Sequence, residues 1–295
     1  FDRAMTKLTQ TFPFLRVFLL IFPLLMRSPQ SVRGGGEGQL EGQIDQYVKG
    51  LRSKGILRRD ERTAWVVYDV STGTKLASIN ETVSLQAASM IKPFVALAYF
   101  HEVQAGKISY TSTSRQKVER MIQVSDNEAT NWVMRQVGGP AAVQAILGKF
   151  YPSLCQQVRI TEYIPSGGAT YKNKASAGDY TRYLTALWRG DLPKSQEILR
   201  VMGLPGRDRL FTDARAVPSG TKVYNKTGST AMCCGDMGIL VAKDHNGASV
   251  PYAVIGIIES GKRNTSYGSW ISRRADVIRE VSNLAYLEMK KRHSL

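Results

Sequence analysis

A chain of 295 residues, 43% hydrophobic and 22% charged, can bury one sizeable core and is neither disordered nor fibrous in composition. Forty lysines and arginines against 24 acids give a net charge of +16, but they are scattered, and the densest run is only Lys290-Lys291-Arg292. A basic stripe interleaved with aromatics is missing, which excludes a nucleic-acid partner; the surplus suits anionic lipid or cell-wall polymer, most of it as solvated faces.

In chain order, residues 13–26 read PFLRVFLLIFPLLM, with Arg3 and Lys7 before them and Arg27 after. The apolar run from Val17 to Met26 is short for a membrane span and suits a signal-peptide core. No A-x-A-like site follows, and counting from Phe12 with a snorkelling Arg16 gives the alternative of an uncleaved membrane anchor. Both readings imply export to the periplasm or another extracytoplasmic space. Gly34-Gly35-Gly36-Glu37-Gly38 reads as a linker, so residues 1–38 are expected to be targeting segment and linker, and 39–295 the folded domain.

Leu40, Ile44, Tyr47, Val48 and Leu51 repeat at helical spacing up to Gly55. Two strand-like runs follow, 63–68 and 75–79, joined by Ser71-Thr72-Gly73 as a hairpin. Helical periodicity then runs from Ser89 to about Met202. It is broken by Gly138-Gly139-Pro140 and by a loop over 151–174, and Ser176 with Asp179 resembles a capping box for a helix reaching Trp188. Strands return at 222–226, 237–242 and 252–259, and a long amphipathic helix (Trp270 to Leu287) closes the chain. The order predicts an α/β (α+β) domain with a five-stranded antiparallel sheet, helices packed on it and a helical insert. A monomer is expected.

Three short motifs stand out. Ser89-Met90-Ile91-Lys92 pairs a hydroxyl with an amine one helical turn away, and a serine needs such a neighbour to take its proton. The S-x-x-K pattern recurs at Ser114–Lys117 and Ser219–Lys222, but only Ser89 opens a long apolar-periodic helix, with Pro93 in its first turn. Ser125-Asp126-Asn127 offers a hydroxyl that can relay a proton and an amide that can hold a substrate amide. Lys226-Thr227-Gly228 offers a cation for a substrate carboxylate. Burial and the charge of Lys226 are expected to lower the pKa of Lys92.

The set, in this order, resembles that of the penicillin-recognising serine enzymes, and the chain is similar to a class A β-lactamase or a penicillin-binding D,D-peptidase on the same fold, over roughly 40–289. The resemblance implies Ser89 as nucleophile, Lys92 as its proton acceptor or hydrogen-bond partner and Ser125 as proton shuttle. It implies Asn127 for the acylamino carbonyl, Lys226 and Thr227 for the carboxylate, and the backbone N–H groups of Ser89 and Ser229 as oxyanion hole. Gly228 is expected to let substrate lie against the strand edge. The implied partners are a peptidoglycan stem peptide or a β-lactam, with the membrane as a further partner if the N-terminal segment is retained.

Two departures bear on which enzyme this is. Class A β-lactamases carry a glutamate in the loop before the capped helix that activates the deacylating water. Aligning Tyr163-Ile164-Pro165 with the family's aromatic-Glu-Pro puts Ile164 at that place, and Glu162 lies two residues away. Ser89 and Ser125 are also closer in sequence than the family pattern, which predicts a cleft open on one side and favours a bulky stem peptide. A D,D-peptidase with slow deacylation is thus favoured, with a β-lactamase and a non-catalytic cell-wall-binding module as alternatives.

Other chemistries find little support. Cys155, Cys233 and Cys234 give neither a disulfide framework nor metal spacing, so no metal and no cofactor is expected; Cys233 and Cys234 are read as small buried or semi-buried thiols, with the cleft border as the alternative place. With only His101, His245 and His293 and no G-x-S-x-G elbow, a histidine triad has no footing, and no glycine-rich phosphate loop is present.

Overall fold

The computed structural model describes residues 38–295, so the targeting segment expected within 1–38 lies outside the described residues. Helix α1 (Gln39–Ser53) buries Leu40, Ile44 and Val48, one stripe at four-residue spacing. Strands β1 (Glu61–Asp69) and β2 (Thr74–Ile79) form the expected hairpin. Asp69 closes it by accepting from the N–H groups of Ser71 and Thr72, and Gly73 takes the left-handed backbone (φ +73°).

The helical insert follows a two-residue strand β3 (Leu85–Gln86). Its helices are α2 (Lys92–Gln104), α3 (Ser112–Gln123), α4 (Asn127–Val137) and α5 (Pro140–Phe150), then, after a loop and the short β4 (Lys174–Ala175), α6 (Ala177–Arg189) and α7 (Ser195–Met202). Nine consecutive residues of α2, Lys92 to Phe100, are buried, so α2 is the central post of this subdomain rather than an amphipathic surface helix. The capping box starts α6: the Ser176 hydroxyl accepts from Asp179 N–H, and the Asp179 carboxylate accepts from Ser176 N–H.

The chain then returns to β5 (Lys222–Thr230), β6 (Cys233–Lys243), β7 (Ser249–Ser260) and the closing α8 (Tyr267–His293). The five strands are antiparallel in the order β2-β1-β7-β6-β5. Strand parity sorts the core. Ala64 and Val66, Met237 and Ile239, and Ala253 and Ile255 face the helical insert. Trp65 and Val67, Leu240 and Ala242, and Tyr252 and Val254 face α1 and α8. Cys233 and Cys234 fall on opposite faces, where no bridge between them can form. β5 is the outer strand, and alternate N–H groups of such a strand point away from the sheet.

Candidate active site

Ser89 does not open an α-helix as the sequence predicts. It sits in a 3₁₀ turn, Ala88–Ile91, and α2 begins at Lys92. Pro93 is the reason: it has no N–H to give the Ser89 carbonyl, and the Lys92 N–H takes that carbonyl instead. In a 3₁₀ turn residues three apart eclipse, which puts Lys92 and Ser89 on one side of the turn, although the hydrogen bonds of the Lys92 amine go to Ser125 and Asn127 rather than to Ser89 Oγ. Ala88 carries a left-handed φ of 45°, a strained backbone just before the serine.

The turn is seated on the sheet through two glycines opposite one another in register, Gly228 of β5 and Gly235 of β6. A Cβ on Gly228 would stand 3.0 Å from the Ala87 carbonyl oxygen and 3.0 Å from Met90 Cγ; one on Gly235 would stand 2.5 Å from Met90 Cε. Met90 thus lies in a trough that only paired glycines leave open. Gly228 therefore has a reason the sequence reading did not supply, the approach of β5 to the serine turn.

Lys92 is fully buried, and its ammonium donates to Ser125 O (2.6 Å), Ser125 Oγ (3.1 Å) and Asn127 Oδ1 (2.9 Å). Burial first, then the charge of Lys226, push its pKa well below the usual lysine range. Ser125 holds a left-handed backbone (φ 61°) that turns its carbonyl and hydroxyl to the same amine. Asp126, between the two site residues, caps α4 by accepting from Ala129 N–H at 2.9 Å, and Arg120 pairs with its other oxygen at 2.6 Å. S-D-N is in this way one hydroxyl, one helix cap and one amide, fixed at the head of α4.

Lys226 is almost fully buried in β5 and donates to Thr227 O at 2.9 Å. Burial pushes its pKa down to about 7, with Arg209 and Arg207 adding to the shift against the opposing pull of Asp236. Arg209, a residue the sequence reading missed, reaches Ser229 Oγ (2.6 Å) and Gly235 O (2.6 Å), while its own N–H donates to Asp236 Oδ2 (2.6 Å).

A cleft of about 940 Å³ opens at this place, with Lys92 and Lys226 buried and outside its lining. Ser89, Ser125, Asn127, Thr227, Ser229 and Arg209 all line it, and so do Gly167 and Gly168 of the 159–173 loop. Among the described residues the lining has three arginines (Arg207, Arg209, Arg263) and no aspartate or glutamate, so the cleft is cationic although the sequence shows no basic stripe.

The 159–173 loop is held from both ends. Asn131 of α4 brackets the backbone of Ile164, donating to its carbonyl (2.9 Å) and accepting from its N–H (2.8 Å), and the Ile164 side chain is buried. Glu162, the only carboxylate of the segment, is turned into the loop itself. Its Oε1 accepts from Thr170 Oγ1 (2.9 Å), Tyr171 N–H (3.0 Å) and Lys172 N–H (3.1 Å), and it does not line the cleft.

The cysteines are buried and stand apart from the cleft lining. Cys233 donates to Gln86 O (3.2 Å) and its thiol is pushed well above the usual range by burial; Cys234 is pushed up to about 11 by the same cause.

Fold and site define a serine hydrolase built on the β-lactamase fold. The model of the β-lactamase enzyme family matches residues 51–117 and 110–287, and the chain belongs to that family. Among solved structures it is similar to PBP-A (21% identity, TM-score 0.69, 85% of this chain and 96% of that one). A leucine-to-glutamate mutant of PBP-A, solved as an acyl-enzyme complex with penicillin G, matches alike at 20% identity. An ancestral class A β-lactamase matches at 20% identity with a TM-score of 0.66, over 84% of this chain and 99% of that one. These likenesses are of fold. No curated protein matches the chain.

Proposed function

We propose that the chain is a penicillin-binding D,D-peptidase whose Ser89 takes the acyl group of a D-Ala-D-Ala end and keeps that of a β-lactam for long periods. Ser89 Oγ attacks the carbonyl carbon, and the low pKa of Lys92 supports the neutral amine as acceptor of the hydroxyl proton. Ser125 Oγ, 3.1 Å from Lys92 Nζ, completes the relay: it takes a proton from Lys92 and passes one to the departing amine. The backbone N–H groups of Ser89 and Ser229 hold the oxyanion, each such donor being worth roughly 3–4 kcal/mol. Asn127 holds the acyl-side amide, and Lys226, Thr227 and Arg209 hold the terminal carboxylate.

The observation that carries the peptidase reading over the β-lactamase one is the state of the 159–173 loop. An apolar, buried Ile164 stands at the bracketed position, and the one carboxylate is engaged by the loop's own donors. The isoleucine has no group that can take a proton from a deacylating water, and Glu162, with Oε1 held by those donors, does not line the cleft. The natural acyl donor under this reading is a peptidoglycan stem peptide, and the place of action is extracytoplasmic, supported by the sequence of residues 13–26. Intact-mass spectrometry after addition of benzylpenicillin tests the assignment: one adduct per chain is expected on wild type, mapped to Ser89 and lost in Ser89→Ala. A chain that forms no adduct contradicts it.

A further inference from the structure

Arg263 lies on the short connection between β7 and α8, exposed, and lines the far end of the cleft with Asn264, Thr265 and Tyr267. This connection is firmly anchored. Asn264 N–H and its side-chain Nδ2 both donate to Ala231 O at 2.9 Å, and its Oδ1 accepts from Arg58 Nη1 at 2.9 Å. Ser260 N–H donates to Met232 O at 2.8 Å, and Arg58 Nη2 to Ser260 Oγ at 2.7 Å. The residue next to Arg263 is thus riveted to the turn between β5 and β6, and the guanidinium is presented from a fixed base.

The spacing along β5 gives this cation a ligand. With the terminal carboxylate at Thr227 and Arg209, a substrate extended along the strand edge advances about 3.3 Å per residue. Its third residue from the C-terminus then stands roughly 7–10 Å on, level with Thr230 and Ala231. That is the end of the cleft where Arg263 stands, and among the described residues no aspartate or glutamate lines the cleft to neutralise it.

Resting on the peptidase reading, we propose that Arg263 forms a second anion subsite, so that the preferred acyl donor is dianionic: one carboxylate at its C-terminus and another on the side chain of the third residue from that end. Arg209 takes the first and Arg263 the second. The selectivity is electrostatic, from an exposed guanidinium, so it weakens with salt.

The probes are benzylpenicillin, whose acyl side chain is uncharged, and carbenicillin, the same molecule with a carboxylate on that side chain. Second-order acylation constants are measured by competition with a fluorescent penicillin at low ionic strength. Arg263→Ala is expected to lower the carbenicillin-to-benzylpenicillin ratio about fivefold, the upper range for an exposed ion pair. Arg263→Lys restores most of the ratio, and about 0.5 M salt erodes it in wild type. An equal ratio in wild type and Arg263→Ala overturns the subsite while leaving the peptidase reading intact. If neither compound acylates, the peptidase reading fails and the subsite is judged by binding alone. In Ser89→Ala protein, a larger Tm rise with carbenicillin than with benzylpenicillin that vanishes on adding Arg263→Ala upholds it, and equal rises overturn it.

Discussion

The depressed pKa of Lys226 has a kinetic signature. With a value of about 7 in the free protein, this lysine is charged in about nine molecules in ten at pH 6 and about one in a hundred at pH 9. If the charged form captures the substrate carboxylate, the second-order acylation constant falls nearly a hundredfold across that interval. The sign is set by burial: taking Lys226 out of water disfavours its ammonium, so the cation is present below pH 7 and lost above it. Lys92 acts in the opposite sense, since it must be neutral to accept a proton, and burial together with the charge of Lys226 shifts it towards that form. A descending limb near pH 7, set by Lys226, is therefore expected for the second-order constant, which reports the free enzyme. At saturation the bound carboxylate holds the ammonium charged, and the limb moves to higher pH. Acylation by a chromogenic cephalosporin followed by stopped flow from pH 5 to 10 measures both. Lys226→Arg, whose guanidinium stays charged, should lose the limb up to pH 9, though at lower amplitude because the buried slot is shaped for a lysine. A second-order constant that is flat or rising from pH 7 to 9 in wild type, or an identical limb in Lys226→Arg, refutes the reasoning.

Two further outcomes follow from the packing around the serine. Gly228→Ala places a methyl 3.0 Å from the Ala87 carbonyl oxygen and from Met90 Cγ, so β5 and the serine turn must part. The expected cost is about 1–3 kcal/mol, read as a Tm drop of about 2–4 °C per kcal/mol together with slower acylation; wild-type values of both contradict the seating described above. Glu162→Gln keeps an oxygen that can accept the Thr170, Tyr171 and Lys172 donors, so deacylation measured by recovery of fluorescent-penicillin labelling should stay within about twofold of wild type, far below the loss a general base causes. Fast wild-type turnover that collapses in this variant makes Glu162 the base and the chain a β-lactamase.

Much of this was legible in the sequence because it is local. The apolar strand-like runs of β1, β6 and β7 and the four-residue stripe of α1 depend on nothing distant, and the three motifs carry their chemistry in adjacent side chains. What stayed hidden depends on register or on irregular backbone. The pairing of Gly228 with Gly235 appears only once β5 is set against β6, and it extends β5 four residues past the expected end at Lys226. Arg209 comes from the connection between α7 and β5, which has no periodicity to read. The Pro93 effect on Ser89 was within reach, since a proline four residues on removes the donor an α-helical serine carbonyl needs. Asn131 was also within reach, one helical turn beyond Asn127. Its partner, the Ile164 backbone, was not. Glu162 illustrates the limit of proximity in sequence: two residues from the expected place, its carboxylate is committed to the loop's own N–H groups.

The lifetime of the acyl-enzyme tests the central claim most directly. Wild-type protein and Ile164→Glu are each acylated with benzylpenicillin, freed of excess reagent and followed by intact mass over time. The wild-type adduct should persist far beyond the time of acylation. The glutamate, held by the Asn131 bracket on the Ile164 backbone, should speed its loss towards the low end of the roughly 10²–10⁴-fold range of a general base, because burial raises its pKa. A wild-type adduct that disappears within seconds, with penicilloate released at every turnover, contradicts the account and identifies a β-lactamase.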